Sequence, residues 1–192
     1  VFKEHVDKEV LKQFVIGSLL GAAASAVIIA MIVNFFQVES ANQMKVEFLK
    51  PLIGLFIIWY LFIKKKGKKR SGSFVLVGGI SGISSIFIGA TGPLIAPFFL
   101  NSKFSKENII ANKAACQTIT HLTKIPLFVF FFNVDYMEEY DVLIPLIIAV
   151  FVGTNLGKKI LGFVPEELFK KLFRFALLLI ALKLIVSNFY QV

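Results

Sequence analysis

An all-α fold that crosses a membrane several times is predicted by three observations. Hydrophobic residues make up 57% of the 192 and charged residues only 17%, with a mean hydropathy of +0.79, outside the range of a soluble domain of this size. The apolar residues fall in runs close to the roughly 20 that a helix needs to cross about 30 Å of hydrocarbon. Open sheets are excluded because lipid offers backbone N–H and C=O groups no partner, which leaves a polytopic transmembrane helical bundle. The partner implied is a lipid bilayer. A charge of +9 would suit nucleic acid, but the basic residues sit in short segments between apolar runs, most densely from Lys64 to Arg70, as at cytoplasmic flanks of membrane helices. No nucleic-acid partner is therefore expected. Cys116 is the single cysteine, so no internal disulfide forms.

The first span is Gln13 to Val38, where Gly17, Gly21 and Ser25 place small residues four apart and let another backbone come close. Val46 to Ile63 is the second, with Trp59 and Tyr60 at its interfacial end, and the cluster from Lys64 to Arg70 stops it on the cytoplasmic side. Phe74 to Leu100 is too long for one straight crossing, at about 40 Å, and too short for two. Gly78, Gly79, Gly82, Gly89 and Gly92, with Pro93 and Pro97, argue for a broken or re-entrant helix there. Ile109 to Phe132 follows, kinked at Pro126, then Val142 to Gly157 with small residues again four apart at Gly153 and Gly157, and lastly Leu172 to Tyr190.

The order of parts repeats. A helix with Gly17 and Gly21 precedes one beginning Phe48-Leu-Lys, and a helix with Gly153 and Gly157 precedes one beginning Phe169-Lys-Lys. Residues 1–70 thus read as the C-terminal part of a first repeat, and 71–192 as a second repeat that also holds the broken helix. The chain opens Val-Phe-Lys without Met, and the first repeat lacks a counterpart of the broken helix, so a first signature hairpin is expected to be missing from the front. Charge decides nothing alone about the halves. If Phe74 to Leu100 crosses once, the acidic loop from Asp135 to Asp141 is cytoplasmic and Lys158, Lys159, Lys170, Lys171 and Arg174 lie outside; if it enters and returns, every later loop flips and the halves are inverted repeats.

Chemistry is expected at Gly89-Ala-Thr-Gly-Pro-Leu-Ile-Ala-Pro. Glycines let the chain turn, and Pro93 suits the start of a helix whose unpaired N–H groups and positive end would face the membrane interior, an arrangement that suits an anion as readily as it suits a simple kink. The next helix carries Lys113, Gln117, Thr120 and Lys124 on one face, with His121 beside it. Intramembrane ionisable groups usually face a bundle interior or a water-filled path. The candidate substrate site is therefore the helix start at Gly89, Thr91, Gly92 and Pro93, whose free backbone N–H groups would be the donors, with Gln117, Thr120 and Lys113 as polar contacts, Lys124 as counter-charge and His121 as a proton carrier or structural donor. No metal spacing, GxSxG or phosphate loop occurs, so neither catalysis nor a cofactor is expected.

Gly78-Gly-Ile-Ser-Gly, the Gly89 to Pro97 stretch, Ala111-Asn-Lys-Ala-Ala-Cys-Gln-Thr-Ile-Thr-His and Val164-Pro-Glu-Glu-Leu together resemble the TauE/SafE family of sulfite and organosulfonate exporters. The resemblance covers essentially the whole chain, although Thr91 and Pro93 stand where the family often has a run of glycines. It implies a duplicated permease of about eight spans, sited in the cell membrane and carrying a small inorganic or organosulfur anion. A membrane scaffold built on the small-residue faces, an anion channel, and association of copies of the chain are the alternatives left open.

Overall fold

In this computed structural model, residues 2–36, 49–63, 74–88, 91–100, 104–132 and 134–186 are described, and every regular element among them is helical. A 3-10 turn at Lys3–His5 leads into α1 (Lys8–Phe36). Then come α2 (Leu49–Ile58) with a π turn at Trp59–Ile63, α3 (Phe74–Ile88), α4 (Gly92–Leu100), α5 (Lys106–Phe132), α6 (Tyr140–Phe163) and α7 (Glu166–Val186). Lys8–Ile32 and Tyr140–Phe163 are each long and apolar enough to cross a membrane, while Pro51–Phe62 and Phe74–Ile86 are shorter apolar helices.

Helix ends move outward from the apolar runs where the flanking residues can cap them. The helix α1 starts at Lys8 rather than Gln13 because Asp7 Oδ1 accepts the N–H groups of Glu9 at 2.9 Å and Val10 at 3.2 Å. Pro165 and the first-turn pair Glu166 and Glu167 start α7 ahead of Leu172, and Lys170 reaches back one turn to Glu166. Beyond Gly157, α6 runs on through Lys158 and Lys159 to Phe163.

The predicted close approach at Gly17 and Gly21 is made by α3. A Cβ on Gly17 would run into the Val75 carbonyl and one on Gly21 into that of Gly79, while Cβ atoms on Gly78 and Gly82 would meet the carbonyls of Phe14 and Ser18. Backbone therefore lies on backbone, a separation only glycine permits. Ser25 closes the row, donating to the Gly21 carbonyl at 3.0 Å with the Ile83 carbonyl 3.3 Å away. Since the contacts climb together, from Gly17 with Val75 to Ser25 with Ile83, α1 and α3 run parallel. The glycine-rich stretch thus divides: Gly78, Gly79 and Gly82 pack inside an unbroken α3, and the interruption lies between Ile88 and Gly92.

That interruption turns the chain back. Phe74 at the start of α3 stacks on Phe99 near the end of α4, ring centroids 5.5 Å apart, whereas a straight helix would hold them about 37 Å apart. The segment enters and returns to one end. Also at that end are Asp7, whose N–H donates to Asn112 at 2.8 Å, and Gln13, whose side-chain oxygen accepts the Phe74 N–H at 3.3 Å. Tyr60 joins them, packed on Phe98 at 4.8 Å. Lys106 does the same for α6, donating to the Leu161 and Val164 carbonyls at 2.8 and 2.6 Å. We call this the basic end, since Lys158, Lys159, Lys170 and Lys171 are here, and the opposite end, with Asp135, Glu138, Glu139 and Asp141, the acidic end. Ile29 and Ile86 pack with Phe128 toward the acidic end.

Around the hairpin, α1 and α5 run from basic to acidic end, α2 runs back to the basic end, and α7 leaves it again. Gly54 of α2 lies against Ala181 and Ile185 of α7. The pairs α1–α2 and α6–α7 accordingly run in opposite senses. Phe14, Ile57, Ile95, Phe99 and Ile109 are fully buried in the main core. By contrast α6 buries only Leu161, and no atom lies within 4 Å of a Cβ added to Gly153 or Gly157.

Two outcomes check this arrangement. Gly21→Val forces α1 and α3 apart and destabilises the protein by about 2–3 kcal/mol in reversible unfolding, whereas Ala23→Leu on the exposed face of α1 stays within about 0.5 kcal/mol. Cysteines placed at 74 and 99 are joined by a short bifunctional cross-linker; absence of that cross-link in folded protein would rule out the return.

Candidate functional site

The first turn of α4 is the natural place for unsatisfied donors. Thr91 precedes it and its carbonyl accepts the Ile95 N–H at 3.2 Å, the first helical bond. Among the described residues the N–H groups ahead of that bond have no acceptor within the helix; Pro93 has no N–H, which leaves those of Gly92 and Leu94 at the helix start. Thr91 itself is only 2% exposed, and its Oγ1 has no hydrogen-bond partner among the described residues. Buried hydroxyls are almost always paired, so an unpaired one at the positive end of a helix is chemically suited to an acceptor.

That place opens into a cavity of about 280 Å³. Thr91, Gly92, Pro93 and Ala96 form its α4 wall, and Lys113, Gln117 and His121, four residues apart, its α5 wall. Gln117 reaches so close to α4 that a Cβ on Gly92 would lie 2.5 Å from Nε2 and 3.3 Å from Cδ. Glycine is what lets the amide in. The Lys113 Nζ sits 6.0 Å from the centroid of the Phe173 ring, and His121 is exposed at the rim.

The remaining expected residues lie elsewhere. Thr120 is fully buried, shares a 3.1 Å hydrogen bond with Ser81 of α3 and donates to the Cys116 carbonyl at 3.1 Å, so it joins α3 to α5. Lys124 is outside the cavity lining, with Nζ 4.7 Å from the centroid of the Phe128 ring. The cation on the cavity wall is Lys113. Gly89 lies outside the described residues. A third wall, from α7, was not foreseen: Phe173, Ala176, Leu177 and Ile180 line the cavity, and in sequence their helical spacing is that of any lipid-facing stripe. Among the described residues no three His, Cys, Asp or Glu side chains come together as they would for a metal ion.

A buried, cation-flanked helix start in an apolar helical bundle is a transporter's feature, and the sulfite exporter TauE/SafE family matches residues 1–184. The chain belongs to the TauE/SafE family. No curated protein and no solved structure matches it. In this TauE/SafE chain, a member of a family of membrane transporters, the motif residues have separable jobs. The Gly78 to Gly82 group holds α3 against α1, and Asn112 fastens α5 to the entry of α1 by accepting the Asp7 N–H while its amide donates to the Asn108 carbonyl at 2.8 Å. Val164-Pro-Glu-Glu forms the corner into α7, and Thr91 to Pro93 faces the cavity.

Gly92→Ala drives a methyl into Gln117, and Gln117→Ser makes room for it; the pair shows a favourable coupling of about 1 kcal/mol in a double-mutant cycle read by unfolding. Thr120→Val strands Ser81 and destabilises by about 1–2 kcal/mol in the same measurement.

Proposed function

We propose that the protein is a secondary transporter that moves a small anion, sulfite, a sulfonate or a related sulfur oxyanion, across the cell membrane. The observation that carries this reading is the unpartnered, buried Thr91 hydroxyl at the start of α4, in a cavity shared with Lys113 and Gln117. Membership of a sulfite exporter family supports the substrate chemistry. In this reading Thr91, Gly92 and Leu94 donate to the anion's oxygens, Gln117 adds an amide donor, and Lys113 is the counter-charge. Donors to an ionised acceptor are about twice as strong as neutral pairs, and a preformed set needs little reordering on binding.

The hairpin supports one bilayer topology. With α3 and α4 as a re-entrant pair, α1, α2, α5, α6 and α7 cross, the basic end faces the cytoplasm and the acidic end faces out, which obeys the charge rule. The opposed senses of α1–α2 and α6–α7 support an inverted duplication. The bare face of α6 favours a second, assembly role, since among the described residues no other element comes within 4 Å of a Cβ added at Gly153 or Gly157.

The test is flux of radiolabelled sulfite into vesicles that hold the full-length protein. Thr91→Val together with Lys113→Gln lowers the initial rate at least about tenfold, while Lys124→Gln retains most of it; unchanged transport in the double variant would remove the site, and no flux of any anion would remove the reading.

A further inference from the structure

We infer that the corner between α6 and α7 binds the headgroup of an anionic phospholipid, held by Lys159 and Lys171. The inference rests on the basic end meeting a bilayer surface, as in the topology above, and is independent of the anion cavity.

Each helix brings two adjacent lysines to this corner, and each pair divides. Lys158 lies over the Phe2 ring, with Nζ 5.7 Å from its centroid, and Lys170 pairs with Glu166. Their neighbours Lys159 and Lys171 are exposed. Among the described residues the ion pairs are Lys106–Glu107 and Lys170–Glu166, so Glu167, one turn ahead of Lys171, leaves it unneutralised.

Helical register sets where the two free lysines point. Val152, Leu156, Lys159 and Phe163 share one face of α6, opposite its buried Leu161, and Leu168, Lys171 and Phe175 share one face of α7, away from the buried Leu177 and Ala181. The apolar members of both faces are exposed, Phe163 at 89%. Each free ammonium thus stands in a stripe that lipid tails cover.

Depth matches as well. Only Val164 and Pro165 separate the helices, and Lys106 holds that link by donating to the Leu161 and Val164 carbonyls at 2.8 and 2.6 Å. Both lysines therefore lie about one turn inside the corner, roughly 6–8 Å along each helix, in a headgroup layer that is itself about 5–8 Å deep. Two unneutralised cations at phosphate level with bare carbon beneath them fit one charged headgroup and its chains. A lysine that merely snorkels to water is indifferent to the lipid's charge, whereas a lysine at an anionic surface strengthens attraction about fivefold.

Trp59→Phe with Phe163→Trp places the sole tryptophan at the corner. Full-length protein of this background is reconstituted in phosphatidylcholine vesicles holding a small fraction of brominated phosphatidylglycerol or brominated phosphatidylcholine, and quenching of the tryptophan gives their relative affinity. Phosphatidylglycerol is expected to bind at least about fivefold tighter. Lys159→Gln with Lys171→Gln brings the ratio toward one, while Lys158→Gln with Lys170→Gln, which removes the same charge, keeps most of it. A ratio below about two, or a loss from the second pair equal to or larger than that from the first, overturns the site, and sulfite flux in the same vesicles reports separately on the transporter reading.

Discussion

A helix end leaves polar backbone groups that an apolar surround cannot satisfy, and in the proposed bilayer topology the fold is organised around one such end. The helix α3 ends at Ile88 and α4 begins at Gly92, and the neighbouring helices pack around α4. On one side α1 lies against α3 with glycine on backbone, so no side-chain layer separates them. On the others α2, α5 and α7 enclose α4, whose residues from Leu94 to Pro97 are all buried. Ser81 and Thr120 then satisfy each other across α3 and α5. Among the described residues two buried hydroxyls are left without a hydrogen-bond partner, those of Ser18 on α1 and Thr91, and Thr91 lines the cavity.

Much of this was legible in the sequence because membrane helices are limited by few rules. Apolar run lengths placed each helix, the four-residue spacing of Gly17, Gly21 and Ser25 announced a close neighbour, and the awkward length of Phe74 to Leu100 announced a break. Which glycines break and which pack was not legible, since Gly78 and Gly92 look alike until a neighbouring backbone is present. The return of α4 was one of two readings that charge allowed, and the stacking of Phe74 on Phe99 selects it. The α7 wall escaped notice because Phe173, Leu177 and Ile180 carry the same apolar signature whether they meet lipid or a ligand.

Three lysines on α5 show how far environment outweighs residue type. Lys106 ties two carbonyls at the corner of α6 and α7, Lys113 stands on the cavity wall above Phe173, and Lys124 lies over Phe128. Along the sequence Lys113 and Lys124 share one helical face and invite the same role. Their separation is a matter of depth: Lys113 is level with the start of α4, while Lys124 is three turns further on, where α5 packs toward Ile29 and Ile86.

The hairpin also alters how the chain must be counted. Six apolar runs suggest six crossings, an even number, and would return the chain to the side from which it set out. In the proposed topology one run goes in and comes back, which changes the parity and would put every loop after Leu100 on the side opposite to the one counting predicts. Reporter fusions read along this chain would agree with hydropathy as far as Ile63 and contradict it from Lys106 onward, with no error in either method.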